Sequence, residues 1–445
     1  MHTFRKFFYK ERKEVTKAQD QYIYFKTIGK VLDATSGWTG YASMGHNNKE
    51  IVSAINSQLK KFSHIDYNEF IDTNVDLLSK ELVMKRDKLD RVWFSGNSGS
   101  ESLEAAMKLS FQDHLASGKK KFKFIHRSQS FHGATLHPLL ISDIDIFKKF
   151  SILGNKNFLK VSQHNPYAVC YAKKNYCKCG KKPVDCLGKF PKESDLNYLY
   201  RSLDEVENLI KKNNPDTISA FIGETQLGSL VGDVPALKKY WEGISKICKK
   251  NDIHLIMDEV YCGLGRTGKL YAYEWENIKP DFVCLGKNMT SGVVPLSAIL
   301  TKSKIEKNII RKLGRVSLGH TFQAHSLAVA ACLKLIKLIK KNKIIDRVNK
   351  NGEYMMHTIK SELKNNEYFS NIRGRGFSFA VEHATKDNNL FARNMHEAML
   401  YKYKILINSK FHRTSFLPIY TTPKKDLDRI LDKFINTFKF FSKRK

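Results

Sequence analysis

A chain of 445 residues is too long for one simple core, so two domains are the default expectation. With 42% hydrophobic and 27% charged residues the composition is globular, which excludes large-scale disorder. The formal charge of +32 raises a nucleic-acid reading, but the lysines are scattered through every segment, without zinc-finger spacing, an aromatic RNP pattern or a basic-leucine repeat.

The amino-terminal stretch from Met1 to Val15 is basic and aromatic. It has no apolar core segment and no small-residue cleavage site, so it does not read as a secretory signal. Glu11 and Glu14 weigh against a transit peptide. No apolar run reaches the roughly 18 residues of a membrane span. The expectation is a soluble cytoplasmic protein that contacts neither membrane nor nucleic acid.

From Arg91 to Thr301 short apolar runs alternate with longer helical patterns, the sign of a mostly parallel α/β sheet. Arg91–Phe94 reads as a strand, Ser100–Ala116 as a helix and Phe122–His126 as a strand. Next come four cysteines, Cys170, Cys177, Cys179 and Cys186, spaced C-x6-C-x-C-x6-C. Four thiolates in one loop suit tetrahedral zinc, but the usual close cysteine pairs are missing. A surface insertion with reduced thiols is the plainer reading, and no metal is assigned. Thr217–Glu224 is a strand, with a helix expected from Pro235. Ile253–Asp258, Phe282–Leu285 and Leu296–Thr301 are further buried strands, and a long helix follows Ser326. From Asn371 onward a smaller α/β unit is expected, with strands Phe377–Glu382 and Ile405–Asn408 and a closing helix from Lys425. The domains divide as 1–65, an amino-terminal part of the small domain, 66–311, the large domain, and 312–445, the rest of the small domain.

Three motifs fall at strand ends, where open parallel sheets gather their ligands. Ser95-Gly96-Asn97-Ser98-Gly99-Ser100-Glu101 follows one strand and opens a helix. Its glycines permit close backbone approach, and a helix amino terminus favours phosphate. Taken alone it is also a good helix cap. Asp258 and Glu259 end an apolar strand, where a carboxylate needs a partner. Lys287 ends another strand, 29 residues after Asp258 (287 − 258). A lysine desolvated there loses its proton readily and attacks aldehydes.

Together these motifs resemble the class III aminotransferases. Asn97–Glu101 looks like the family's cofactor-phosphate loop, and Phe131-His132-Gly133 like its aromatic-His-Gly step. Asp258-Glu259-Val260 with Gly263–Gly268 is similar to its longest signature, and Leu285-Gly286-Lys287 to its lysine step. Gly319-His320-Thr321-Phe322 resembles the segment that crosses to the neighbouring subunit. Gly45-His46-Asn47 and Ile372–Gly376 fit two further steps, so the resemblance runs through nearly the whole chain.

The resemblance implies a pyridoxal-phosphate transferase of fold type I, with a mostly parallel sheet in a large domain, a smaller α/β domain, and a homodimer sharing its active sites. Lys287 would hold pyridoxal phosphate as a Schiff base and move the substrate's proton, while Asp258 keeps the pyridine nitrogen protonated. Ser98, Gly99 and Ser100 would bind the phosphate, joined by Thr321 from the second subunit. Phe131, His132 and Val260 would flank the ring, and Glu224 would sit near its hydroxyl. Trp38 and Arg413 are the substrate-side candidates. The reaction implied is amino transfer from an amine or amino acid to a 2-oxo acid, pyruvate favoured, or an aldehyde. Mutase, racemase and decarboxylase reactions of the same fold are the alternatives. Thr225, Ser229 and Ala134 depart from common family residues, and so does Asn288–Gly292. These changes touch the substrate side.

Overall fold

The computed structural model describes residues 12–143, 153, 156–167, 189–190, 192–228 and 230–443. Cys170, Cys177, Cys179, Cys186 and Ser229 lie outside them. The described chain begins with an antiparallel meander of β1 (Val15–Gln19), β2 (Tyr22–Phe25) and β3 (Gly29–Asp33). Helices α1 (Lys49–Leu59) and α2 (Thr73–Leu82) follow. Asn48 and Asp72 cap them by accepting first-turn N–H groups.

The large sheet then forms from β4 (Arg91–Gly96), α3 (Gly99–Ala116), β5 (Lys123–Arg127), α4 (Leu136–Leu140) and β6 (Phe158–Val161). It continues through α5 (Asp195–Lys212), β7 (Ile218–Glu224), α6 (Tyr240–Lys250), β8 (His254–Asp258), β9 (Phe282–Leu285), β10 (Ser297–Thr301) and α7 (Ser303–Leu313). Strand order across this seven-stranded sheet is β4-β10-β9-β8-β7-β5-β6. β10 runs antiparallel to β4 and β9, while the other pairings are parallel. Both faces are covered, as a parallel sheet requires. Ile222, Ile256 and Phe282 pack on α3 and α7, whereas Phe221, Leu255 and Val283 face a second core with α5 and α6. That split is the two-residue alternation of a strand.

The carboxy-terminal part holds α8 (Ser326–Lys341), α9 (Ile344–Leu363), β11 (Phe369–Arg375), β12 (Ser378–His383), α10 (Asn388–Glu397), β13 (Ile405–Leu406), β14 (Asn408–Lys410), β15 (Arg413–Phe416) and α11 (Lys424–Ser442). Its own sheet has the order β11-β12-β15-β14. β13 pairs instead with β3, Ile405 opposite Leu32, which ties the amino-terminal meander to this unit.

Two expected elements come out differently. The helix expected at Pro235 starts at Tyr240, because Pro235 is taken up in a bridge with Gln226 that closes the preceding turn. Ile405–Asn408 is not one strand but the junction of β13 and β14, which belong to different sheets. No described helix is long and apolar enough to cross a membrane.

Candidate active site

Because β10 alone reverses, β4, β7, β8 and β9 all deliver their carboxyl ends to one edge of the sheet. Gly96, Glu224, Asp258 and the Gly286-Lys287 turn meet there, around a cavity of about 500 Å³. The register puts Glu224 opposite Asp258 and Asp258 opposite Cys284.

Asp258 is 4% exposed. Its Oδ2 lies 2.7 Å from His132 Nδ1, and its Oδ1 accepts the Val260 N–H at 3.0 Å. Glu259 takes the opposite side of the strand, as alternation requires. It accepts N–H bonds from Ala272 and Tyr273 and the Thr225 hydroxyl, and burial pushes its carboxyl up to about 8. Of the two strand-end carboxylates, only Asp258 lines the cavity. Glu224 accepts the Phe131 N–H at 3.1 Å and the Gly228 N–H at 2.9 Å. Burial raises its carboxyl, against the pull of His132.

Lys287 has φ of +34°, a left-handed backbone that is strained for a side-chain-bearing residue. Burial lowers the proton affinity of its amine, while Asp258 and Glu224 act to raise it. The turn is packed tightly. A Cβ at Gly99 would lie 2.4 Å from a Val260 methyl, and one at Gly286 would lie 3.2 Å from the Gly99 Cα. Those small residues let the β4–α3 turn, Val260 and the lysine turn interlock.

Ser98 caps α3 in a reciprocal box with Glu101, so the helix begins sharply at Gly99. The first-turn N–H groups of such a helix have no intrahelical acceptor and suit an anion. The Ser100 hydroxyl accepts the Ala134 N–H at 3.0 Å and so joins this helix to the loop after His132.

Ser98, Gly99, Ser100, Phe131, His132, Glu224, Asp258, Val260 and Lys287 all line the cavity. Thr321, Trp38 and Arg413 do not. Thr321 is exposed, and its carbonyl lies 2.7 Å from His64 Nε2. Trp38 presents an edge to His396 with Lys410 over its ring. Arg413 is 6% exposed and donates to the Leu230 carbonyl, beside Asp233. That hydrogen bond ties the guanidinium to the turn before Asp233.

Sequence reading missed Tyr41, Gln226, Tyr261 and the apolar run Val293–Leu296, which also line the cavity. Tyr261 lies inside the Asp258–Gly268 stretch, three residues after Asp258, so its position was the available signal. Tyr41 had none. Its ring fills the space that side chains at Gly37 and Gly292 would occupy.

The sequence model of the family Aminotransferase class-III matches residues 9–438. The chain belongs to the class III aminotransferases. It is 31% identical to gamma aminobutyrate transaminase 3, chloroplastic, of Solanum lycopersicum over 382 residues, 83% of this chain and 68% of that protein. It is 28% identical to vanillin aminotransferase of Capsicum frutescens over 446 residues, 97% of this chain and 92% of that protein. A thermostable omega transaminase mutant from Pseudomonas jessenii shares the fold at a TM-score of 0.86 and 24% identity, covering 98% of this chain and 96% of that one. The omega transaminase of the same species in complex with PMP superposes at 0.86 with 23% identity, covering 99% and 97%.

The protein is thus an aminotransferase acting on small amino and oxo compounds, and its family cofactor is pyridoxal phosphate. The residues present fit that group. The cavity combines a helix amino terminus, a buried carboxylate and a buried lysine, and His132 Nε2 is a buried ring nitrogen with no hydrogen-bond partner among the described residues.

Proposed function

We propose that the chain transfers an amino group from an amine or amino acid to an aldehyde or a monocarboxylic 2-oxo acid, pyruvate in preference to 2-oxoglutarate. The observation that carries this reading is the make-up of the cavity wall. Lys287 is the only lysine or arginine among the described residues that line it, and Val293–Leu296 with Tyr41 and Tyr261 give it an apolar side. A second carboxylate brought there lacks a bidentate partner, a loss of about 1.5–3 kcal/mol. The relative named vanillin aminotransferase carries an aromatic compound in its name, which suits such a wall.

When bound, the cofactor supplies an electron sink for the carbon that loses its proton. Lys287 serves as its tether and as the base that takes and returns that proton. Asp258 keeps the ring nitrogen protonated, with His132 orienting the carboxylate. Gly99 and Ser100, at the start of α3, hold the phosphate, and Phe131 and Val260 flank the ring. Glu224 fixes the Phe131 backbone through its accepted N–H. The small domain is residues 1–65 with 312–445 and the large domain 66–311, a division supported by the β3–β13 pairing. The active unit is a two-fold dimer in which Thr321 completes the neighbour's phosphate site.

The test is a screen of amino donors against pyruvate, 2-oxoglutarate and aromatic aldehydes, with products identified by mass. Higher kcat/KM for pyruvate than for 2-oxoglutarate is expected. The reverse order overturns the acceptor assignment.

A further inference from the structure

Lys287 has a neighbour that the roles above leave unused. Its Nζ lies 5.1 Å from the centroid of the Tyr261 ring, within the range at which an ammonium is drawn to an aromatic face. The ring is fixed from several sides. Its hydroxyl donates to Asp233 Oδ1 at 2.9 Å, and that oxygen also accepts the Ser378 hydroxyl at 2.8 Å. Ser378 is held in turn by Gln226 Nε2 at 3.0 Å. Gly228 lies against the ring, where a Cβ would sit 3.4 Å from Tyr261 Cδ1, at ordinary van der Waals contact. Asp233 is wholly buried, so this anchor is shielded from water.

We propose that the Tyr261 ring, held face-on by Asp233, is a positioning residue that steadies the protonated amine of Lys287. The amine of an aminotransferase lysine must be neutral to take the substrate's proton and positive once it holds it. Asp258 and Glu224 already favour the positive form from the strand ends, and a further carboxylate in direct contact would hold the proton and resist its return. An aromatic face attracts the ammonium more weakly, accepts no proton, and gives the amine one preferred direction. Asp233, by accepting the phenol proton in a hydrogen bond, makes the ring more electron-rich and strengthens that attraction. The inference rests on Lys287 being the reactive lysine.

The test uses the full chain freed of cofactor and a small amine-reactive label, with the labelling rate at Lys287 followed across pH by peptide mass. Tyr261 is replaced by phenylalanine and by its mono-, di- and trifluoro analogues, which keep the ring's shape and drain its electron density. The apparent pKa of Lys287 is expected to fall stepwise along the series, by about one unit in all. Tyr261→Leu is expected to fall at or below the end of the series. Labelling at Lys287 with a flat series overturns the role of the ring. Hydride reduction of the cofactor-loaded chain that fixes the cofactor on a different lysine overturns the premise about Lys287 itself, so the two failures are distinguishable.

Discussion

Asp258 shares its Oδ2 with His132 at 2.7 Å and is buried at the strand end, so its charge is costly unless a cationic partner faces it. Asp258→Asn keeps the shape and removes that charge. Cofactor should still bind, while the first half-reaction slows by the equivalent of roughly 3–5 kcal/mol, two to four orders of magnitude. Single-turnover absorbance kinetics measure this, and an unaltered rate would discard the role. Arg413 calls for a changed expectation. The family resemblance set it among the substrate-side candidates. In the structure its guanidinium serves the Leu230 carbonyl, and burial lowers its pKa to about 10. Arg413→Ala is therefore expected to loosen the turn before Asp233 and lower stability by about 1.5–3 kcal/mol in urea titration. An unshifted midpoint with a raised acceptor KM would return it to the cavity. At this scale the residues that line the cavity at the strand ends were legible because glycine, strand-end carboxylate and strand-end lysine each carry a spacing. Tyr41 and Arg413 were not, since where a long side chain ends depends on neighbours remote in sequence.

Strand β8 begins at His254, and its far end from the cavity holds a second buried polar cluster. The His254 ring stacks on His114 of α3 with centroids 4.3 Å apart, and His114 Nε2 lies 3.1 Å from the Ser219 carbonyl. Burial, the neighbouring His254 and Lys121 push the His114 pKa down to about 4 from 6.5, with Ser219 and Asp252 opposing. A histidine depressed on folding is protonated first in the unfolded chain. Its contribution to stability is therefore whole above pH 6.5 and is lost as pH falls from there towards 4. By pH 5 the loss amounts to about 2 kcal/mol from this residue. His114→Gln should flatten that part of the profile, checked by urea midpoints at neutral and acid pH, and equal slopes in variant and parent would refute it. The elements themselves were largely legible, because buried strands such as Phe282–Leu285 stand out as short apolar runs between polar turns. Direction was not. Nothing in the composition of Ser297–Thr301 distinguishes an antiparallel strand from its parallel neighbours, since both bury both faces.

On the scale of the whole molecule, Phe322, in the segment that the family resemblance sends to a second subunit, is exposed, as are Phe70 and Ile71. Phe70, Ile71 and Phe322 are 62%, 83% and 53% exposed. His64 holds the Phe322 segment through the Thr321 carbonyl and a ring contact with Phe322, with centroids 5.8 Å apart. Exposed apolar groups of that size are costly in a monomer and usual at an interface. Thr321 does not line the cavity of its own subunit, which is compatible with the proposed service to a neighbour's phosphate. A two-fold dimer makes that service reciprocal. The arrangement has a sharp consequence for mixed dimers of Lys287→Ala and Thr321→Ala. In a hybrid, one site receives both defects, and the other combines an intact Lys287 from one chain with an intact Thr321 from its neighbour. Random exchange makes half of the dimers hybrid, each with one of two sites whole, so about a quarter of parental activity should return. The assay is run at limiting cofactor, where the loss of a phosphate contact is felt. If Thr321 served its own subunit instead, every hybrid site would carry one defect and mixing would restore nothing above the mean of the two variants.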